Sequence, residues 1–228
     1  MLLRQRFLAE FLGTLALLAI VVGSGIMGAR LAAGNDALAL LANAGATAAG
    51  LYLLIVVLGP ISGAHFNPAV TLGLGWVDQR PRAAQQAGYL VAQLIGAVIG
   101  VWLAHAMFGE PLWQPGTRVR SGASQWLSEM VATCGLLLTI LLGRRFQPGA
   151  VPGLVACWIF AAYWFTASTS FANPAVTLAR TLTRTFAGIQ PADAPAFIAA
   201  QLIGAALAVV IARLLLVSSD QALADHED

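Results

Sequence analysis

The hexapeptide Asn-Pro-Ala-Val-Thr-Leu occurs twice in this chain, beginning at Asn67 and again at Asn173. Asn is a strong helix N-cap, and Pro is favoured at the first helical position, where its missing N–H would have no partner. Each copy is therefore predicted to begin a helix, over residues 67–77 and 173–183. Amide donors and the partial positive charge of a helix N-terminus suit contact with a passing polar solute rather than covalent catalysis.

The composition indicates a membrane protein. Of the 228 residues, 59% are hydrophobic and 10% are charged, and the mean hydropathy is +0.79. A soluble domain has roughly one quarter charged residues. Six runs with at most one charged residue each approach the ~20 residues that a helix needs to cross the hydrocarbon core. These runs are residues 11–29, 37–59, 83–104, 121–143, 149–171 and 194–212.

The two halves of the chain repeat each other. The segment "LAEFLGTLALLAI" from Leu8 has a counterpart in "LSEMVATCGLLLTI" from Leu127, and "AQLIGA" occurs at residues 92–97 and 200–205. Each repeat has three spans, an odd number, so the second repeat must enter the membrane in the opposite sense to the first. The two Asn-Pro-Ala motifs are therefore predicted to approach the bilayer from opposite faces.

Each motif helix is short for a membrane span. About 11 residues at 1.5 Å per residue give ~16 Å, half of the hydrocarbon core. Non-helical backbone, predicted for residues 59–66 before the first motif, is tolerated at that depth only inside protein or beside a watery cavity. Two half-helices that meet with their N-termini near the midplane satisfy both constraints.

Together these features resemble the aquaporin, or major intrinsic protein, family. The resemblance rests on the two motifs, on the "SGAHFNPAVT" context of the first, and on Glu10 and Glu129 early in the first span of each half. It covers about residues 6–216 and implies an all-α membrane fold with six transmembrane helices and two re-entrant half-helices. It also implies a homotetramer with one pore per subunit.

The expected domain boundaries follow from this resemblance. A channel domain is predicted over residues 1–217, with repeats at about 6–106 and 122–217. A short acidic tail over residues 218–228 is predicted to be disordered. The bias of Arg residues places both termini in the cytoplasm, with Arg118 and Arg120 outside, and the chain in a bacterial inner membrane.

The resemblance assigns roles to residues that match the family motifs. Glu10 and Glu129, costly charges within the membrane, would accept hydrogen bonds from the loop backbone and brace the half-helices. The expected pore motifs are Asn67, Pro68, Ala69, Asn173, Pro174 and Ala175. The loop carbonyls expected along the pore belong to Gly63, Ala64, His65, Phe66, Ser168, Thr169, Ser170 and Phe171.

The outer filter departs from the family pattern. Most members have an Arg directly after the second Asn-Pro-Ala, where this chain has Val176, and the other filter positions count to Thr47, Ala161 and Ser170. Neither an aromatic ring nor a cation is among them, which predicts a wide, weakly charged constriction. Arg180, four residues beyond Val176 and so on nearly the same helix face, is either a displaced vestibule charge or, as we favour here, a solvated or headgroup-binding residue.

These features predict a passive channel for small neutral polar solutes, namely glycerol-like polyols, neutral metalloid hydroxides such as arsenite, and water. A water-selective aquaporin and an ion-coupled secondary transporter remain as alternatives. The spans hold few ionisable groups, which disfavours ion coupling. No nucleophile–base pair or metal cluster can be assembled, so we expect no enzyme, cofactor or metal. The net charge of +2 is too small to indicate nucleic-acid binding.

Overall fold

The computed structural model describes residues 1–77 and 83–224, with side chains up to residue 216. The described chain forms eight α-helices and two short 3₁₀ turns, and it contains no strand. The helices are α1 Leu3–Leu31, α2 Asp36–Ser62, α3 Pro68–Val77, α4 Ala83–Phe108, α5 Ala123–Phe146, α6 Val151–Phe165, α7 Pro174–Arg180 and α8 Ala194–Ala224. Six of these helices, all except α3 and α7, have the length and composition to cross a membrane. The predicted all-α class with six spans is confirmed.

The long helices pair in the same way in both halves. Helix α1 packs on α4 and α2, and the corresponding helix α5 packs on α8 and α6, while α2 contacts α6. Close approach depends on small residues at equivalent positions. A Cβ added to Gly96 would collide with the Phe11 carbonyl, and one added to Gly204 would collide with the Met130 carbonyl. The repeated "AQLIGA" segment therefore lets α4 and α8 pack directly on the backbone of α1 and α5.

The two short helices connect the halves. Val70 of α3 lies in an apolar cluster with Leu136 of α5, a helix of the second half. Val176 of α7 lies in a second cluster with Leu17 of α1, a helix of the first half. Each half-helix thus packs largely on the other repeat, and α3 and α7 also contact each other.

The boundaries of several elements differ from those predicted. Helix α2 continues through Pro60 to Ser62, so less of the loop before the first motif is non-helical than expected. Helix α7 ends at Arg180 rather than at residue 183. It stops there because the carbonyls of Arg180 and Thr181 accept hydrogen bonds from the N–H groups of Ile189 and Gly116 instead of from a next helical turn.

The C-terminal boundary also differs. Helix α8 continues to Ala224, so residues 218–224 are helical rather than disordered. Residues 225–228 of the predicted tail lie outside the described residues, as do residues 78–82, which were expected to end the first half-helix.

Candidate transport pathway

The loops that lead into the two motifs have the same unusual backbone. Ala64 and Phe66 have φ values of 50° and 48°, and Ser170 and Ala172 have values of 51° and 49°. In each loop these are the third and first residues before the motif Asn. A left-handed conformation at a non-glycine residue costs about 1–3 kcal/mol and persists only where the surroundings impose it.

Glu10 holds the first loop in this conformation. Its carboxylate accepts hydrogen bonds from the backbone N–H groups of His65 at 2.9 Å and Phe66 at 2.7 Å, and from Nε2 of Gln93 at 2.8 Å. Glu10 is fully buried. The Ser62 hydroxyl also donates to it, at 2.7 Å, so four donors compensate for the burial of a charge that has no cationic partner among these contacts.

Glu129 does the same in the second loop. It accepts from the N–H groups of Phe171 and Ala172, each at 2.8 Å, and from Nε2 of Gln201 at 2.6 Å. The hydrogen bonds predicted for both glutamates are present, and Gln93 of α4 and Gln201 of α8 connect further helices to them. The repeat in the sequence is therefore reproduced in the individual hydrogen bonds of the two loops.

The two motif asparagines connect the loops to each other. Asn67 caps its helix by accepting at Oδ1 from the N–H of Ala69, and its Nδ2 donates to the carbonyl of Ala172 at 2.7 Å. Asn173 donates from Nδ2 to the carbonyl of Phe66 at 2.8 Å. A side-chain amide has two N–H donors. One donor of each Asn is thus used between the loops, and one is left for a solute.

A cavity of about 830 Å³ passes these asparagines. It extends from Arg6 and Arg144, at one end of the helix bundle, past both asparagines to the buried Arg180. Among the predicted site residues, those that line it are Thr47, Gly63, Ala64, His65, Phe66, Asn67, Ser170, Phe171, Asn173, Val176 and Arg180. The prolines and alanines of the motifs are buried at the helix starts and do not line it.

One predicted filter residue is wrong. Ala161 is exposed on the face of α6 that points away from the cavity, and it does not line the cavity. Tyr163 lines it instead, and its hydroxyl donates to Oγ1 of Thr47 at 3.4 Å. Two residues along a helix correspond to about 200° of rotation, so a count that is short by two selects the opposite face. A count shifted by two would have found this aromatic residue.

Two predicted loop carbonyls are also misplaced. Ser168 and Thr169 do not line the cavity. Nη1 of Arg120 donates to the Ser168 carbonyl at 3.1 Å and contacts Oγ1 of Thr169 at 3.4 Å. Arg120 lies in the connection between α4 and α5, which was predicted to lie outside the membrane, and its side chain is buried. No feature of the sequence distinguishes this buried Arg from the exposed Arg118 two residues earlier.

The preferred prediction for Arg180 is wrong as well. Its side chain is buried rather than solvated, with Cζ 3.4 Å from the centroid of the Phe171 ring. Its Nε donates to the carbonyl of Ala187. The end of the cavity at Arg180 therefore has an aromatic residue, Tyr163, and a cation, although Val176 follows the second motif.

Comparison with known proteins agrees with this architecture. A model of the family described as "Major intrinsic protein" matches residues 1–156 and 148–227. The chain belongs to the major intrinsic protein family. It is 55% identical over 214 residues to "Aquaglyceroporin AqpS" of Rhizobium meliloti (strain 1021), an alignment that covers 94% of this chain and 91% of that protein.

Other members of the major intrinsic protein family are more distant. A "Probable glycerol uptake facilitator protein" of Thermotoga maritima is 32% identical over 154 residues, which cover 59% of this chain and 62% of that protein. The structure of the aquaglyceroporin from Plasmodium falciparum superposes with a TM-score of 0.73 at 21% identity and covers 93% of this chain and 95% of the other. Because the identity is low, the likeness to this structure supports the fold alone. The family match also shows that the chain is a multi-pass membrane protein.

Proposed function

We propose that this chain is a passive membrane channel for small neutral polar solutes, namely glycerol-like polyols, neutral metalloid hydroxides such as arsenite, and water. The observation that carries the proposal is the cavity that begins at Arg6 and Arg144, at one end of the bundle, and passes Asn67 and Asn173 as far as Arg180. The names of the relatives, an aquaglyceroporin and a glycerol uptake facilitator, support glycerol as one solute.

The geometry suits neutral solutes with hydroxyl groups. The remaining amide donors of Asn67 and Asn173 and the carbonyls of residues 63–66 offer hydrogen bonds along the path, while Leu51 and Ile55 provide an apolar wall. The N-termini of α3 and α7 add partial positive charge near the same point. A neutral solute can exchange its water contacts for pore contacts, whereas a cation is repelled.

Permeability measurements in proteoliposomes test this function. We expect glycerol, arsenite and water to enter faster than into empty vesicles of the same lipid. If water alone enters faster, the protein is instead a water-selective aquaporin. If none does, the channel proposal is wrong.

Val176 tests the proposal that the outer constriction admits solutes larger than water. Its side chain lines the cavity and packs in the apolar cluster with Leu17. In Val176→Arg, a guanidinium would occupy part of this space, so glycerol permeability should fall by about tenfold or more while water permeability falls less. Val176→Leu, which adds volume at the same position without charge, is the matched control. An unchanged ratio of glycerol to water permeability in Val176→Arg would contradict a wide constriction at Val176.

The remaining properties are proposed from the family. We place the protein in a bacterial inner membrane with both termini in the cytoplasm, and we propose a homotetramer with one pore in each subunit. The partners are the solutes, water and the lipid bilayer, with no nucleic acid. No catalytic activity, cofactor or metal is part of the proposal.

A further inference from the structure

We propose that Arg180 is the selectivity-determining cation of the outer constriction and acts one helical turn outside the position where most family members carry their filter Arg. This inference rests on the proposed channel function and names a residue that determines its selectivity. The constriction then carries a positive charge, which lies one helical turn beyond Val176 instead of at that position.

The position of Arg180 supports this role. It is the last residue of α7 and is four residues beyond Val176, so the two side chains are about 6 Å apart along the same helix face. Both residues line the cavity. A guanidinium at Arg180 therefore meets a solute within one turn of Val176.

The hydrogen bonds of Arg180 leave part of its guanidinium available. Nε is used by the Ala187 carbonyl, and the group packs on the Phe171 ring, so the side chain is fixed in one orientation. Nη1, in contrast, is buried and has no hydrogen-bond partner within the described chain. Only 2% of Arg180 is exposed. An unpaired buried donor is costly, and a solute oxygen in the cavity would satisfy it.

A second polar atom in the same part of the cavity also lacks a partner. Oγ of Ser170, in the loop before α7, is buried without a hydrogen bond to any described residue. Ser170 lines the cavity, as does the Phe171 ring beneath Arg180. A solute hydroxyl can accept from the guanidinium and exchange a hydrogen bond with the Ser170 hydroxyl. The site therefore fits neutral solutes that carry at least one oxygen or nitrogen acceptor.

Arg180 is not paired directly with a carboxylate, although the charge of Glu129 acts on it. No carboxylate in the described chain forms an ion pair with Arg180 or with the neighbouring Arg120. Burial, and to a lesser extent the charge of Arg180, lower the pKa of Arg120 to about 9. Arginine side chains are cationic at neutral pH, so a cation that approaches Arg180 meets two neighbouring positive charges.

Arg120 has a different part in this arrangement. Its guanidinium donates to the carbonyls of Gly188 and Ser168 and lies 5.0 Å from the Phe171 ring, and it does not line the cavity. It is a positioning residue that holds the loop before α7. Arg180 is the one of the two that contacts the solute.

Urea and guanidinium provide a matched test, since they are nearly isosteric and differ by one charge. Their uptake would be measured in proteoliposomes at equal protein density, for the wild-type channel, Arg180→Met and Arg180→Gln. Wild type should admit urea and exclude guanidinium. Both variants remove a charge that repels the cation at short range, so guanidinium uptake should rise by about tenfold or more while urea uptake persists.

Arg118→Met is the control for a positive charge at the same end of the molecule. Arg118 is exposed, donates to the Phe186 carbonyl and does not line the cavity. Its loss should leave the ratio of guanidinium to urea uptake at the wild-type value. A rise equal to that of Arg180→Met would show a general effect of surface charge and overturn the assignment to Arg180.

The outcomes separate this inference from the proposed function. If wild-type protein admits neither urea nor glycerol, the channel function itself fails. If it admits them and Arg180→Met still excludes guanidinium as wild type does, the inference is wrong and the channel function stands. Should Arg180→Met not reconstitute, Arg180→Gln decides, because it retains a donor for Ala187 and removes the same charge.

Discussion

At the scale of single residues, the two buried glutamates determine the shape of the pore loops. Each accepts two backbone N–H groups and one Gln side chain, and each holds backbone that would be strained on its own. The carboxylates act on the solute only through the loops that they hold. Their removal is therefore expected to affect folding and permeability together.

Glu129→Gln tests this bracing role. The amide retains one oxygen acceptor but directs an NH₂ group toward donors such as the Ala172 N–H, which leaves buried hydrogen bonds unmade. We expect the free energy of unfolding to fall by about 1–3 kcal/mol. Thermal unfolding in detergent measures the change, and Glu10→Gln should destabilise at least as much, because Glu10 has the equivalent contacts and also accepts from the Ser62 hydroxyl.

Glu110→Gln is the matched control for this carboxylate. Glu110 forms a largely exposed ion pair with Arg30 at 2.9 Å, and such a pair contributes about 1 kcal/mol or less. If Glu129→Gln destabilises the protein no more than Glu110→Gln does, the bracing role of Glu129 is refuted.

At the scale of the elements, the half-helices depend on close contact between the long helices. Gly204 of α8 lies against the backbone of α5 at Met130, as Gly96 of α4 lies against α1 at Phe11. Neither contact leaves room for a side chain. A methyl group added at either glycine is therefore expected to push the two paired helices apart.

Gly204→Ala is expected to destabilise the protein by about 1–3 kcal/mol, since the added Cβ meets a carbonyl oxygen that cannot move independently of its helix. Gly45→Ala is the control, because Gly45 lies within α2 and has open space where its Cβ would be. That substitution should be neutral or stabilise by up to ~1 kcal/mol. Melting temperatures that move in the same direction for both variants would contradict this account of α8 packing.

At the scale of the whole molecule, the two repeats form one pathway because each half-helix packs on the opposite repeat. In the described chain, Glu10 and Glu129 are the acidic residues buried at the centre of the helix bundle, and both are occupied by hydrogen bonds. Their carboxylate oxygens are engaged by the loop backbone and by Gln93 and Gln201. The arrangement favours a channel over an ion-coupled carrier.

Glycerol uptake into proteoliposomes is therefore expected to be unaffected by an imposed proton or sodium gradient. The rate should be the same, within error, with and without a protonophore or a sodium ionophore, and the internal concentration should stop at the external one. Accumulation above the external concentration would identify an ion-coupled transporter instead. Empty vesicles under the same gradients control for leakage through lipid.

The sequence by itself determined the architecture. The Asn-Pro pairs predict helix starts from local chemistry, the hydropathy predicts the spans, and the odd number of spans in each repeat predicts its inversion. These conclusions depend on residues close together in the chain. For the same reason the roles of Asn67 and Asn173 at the start of the half-helices could be anticipated.

Only the tertiary structure decided which side chains face the cavity. The choice of Tyr163 over Ala161 depends on the rotation of α6, which its packing against α2 and α5 sets. The burial of Arg120 depends on a carbonyl at Ser168, 48 residues away, and that of Arg180 on the path of the chain after α7. Such contacts join segments that are far apart in the chain and show no periodic pattern. The sequence could therefore place a motif in the membrane but could not show that Arg180 is buried beside the cavity.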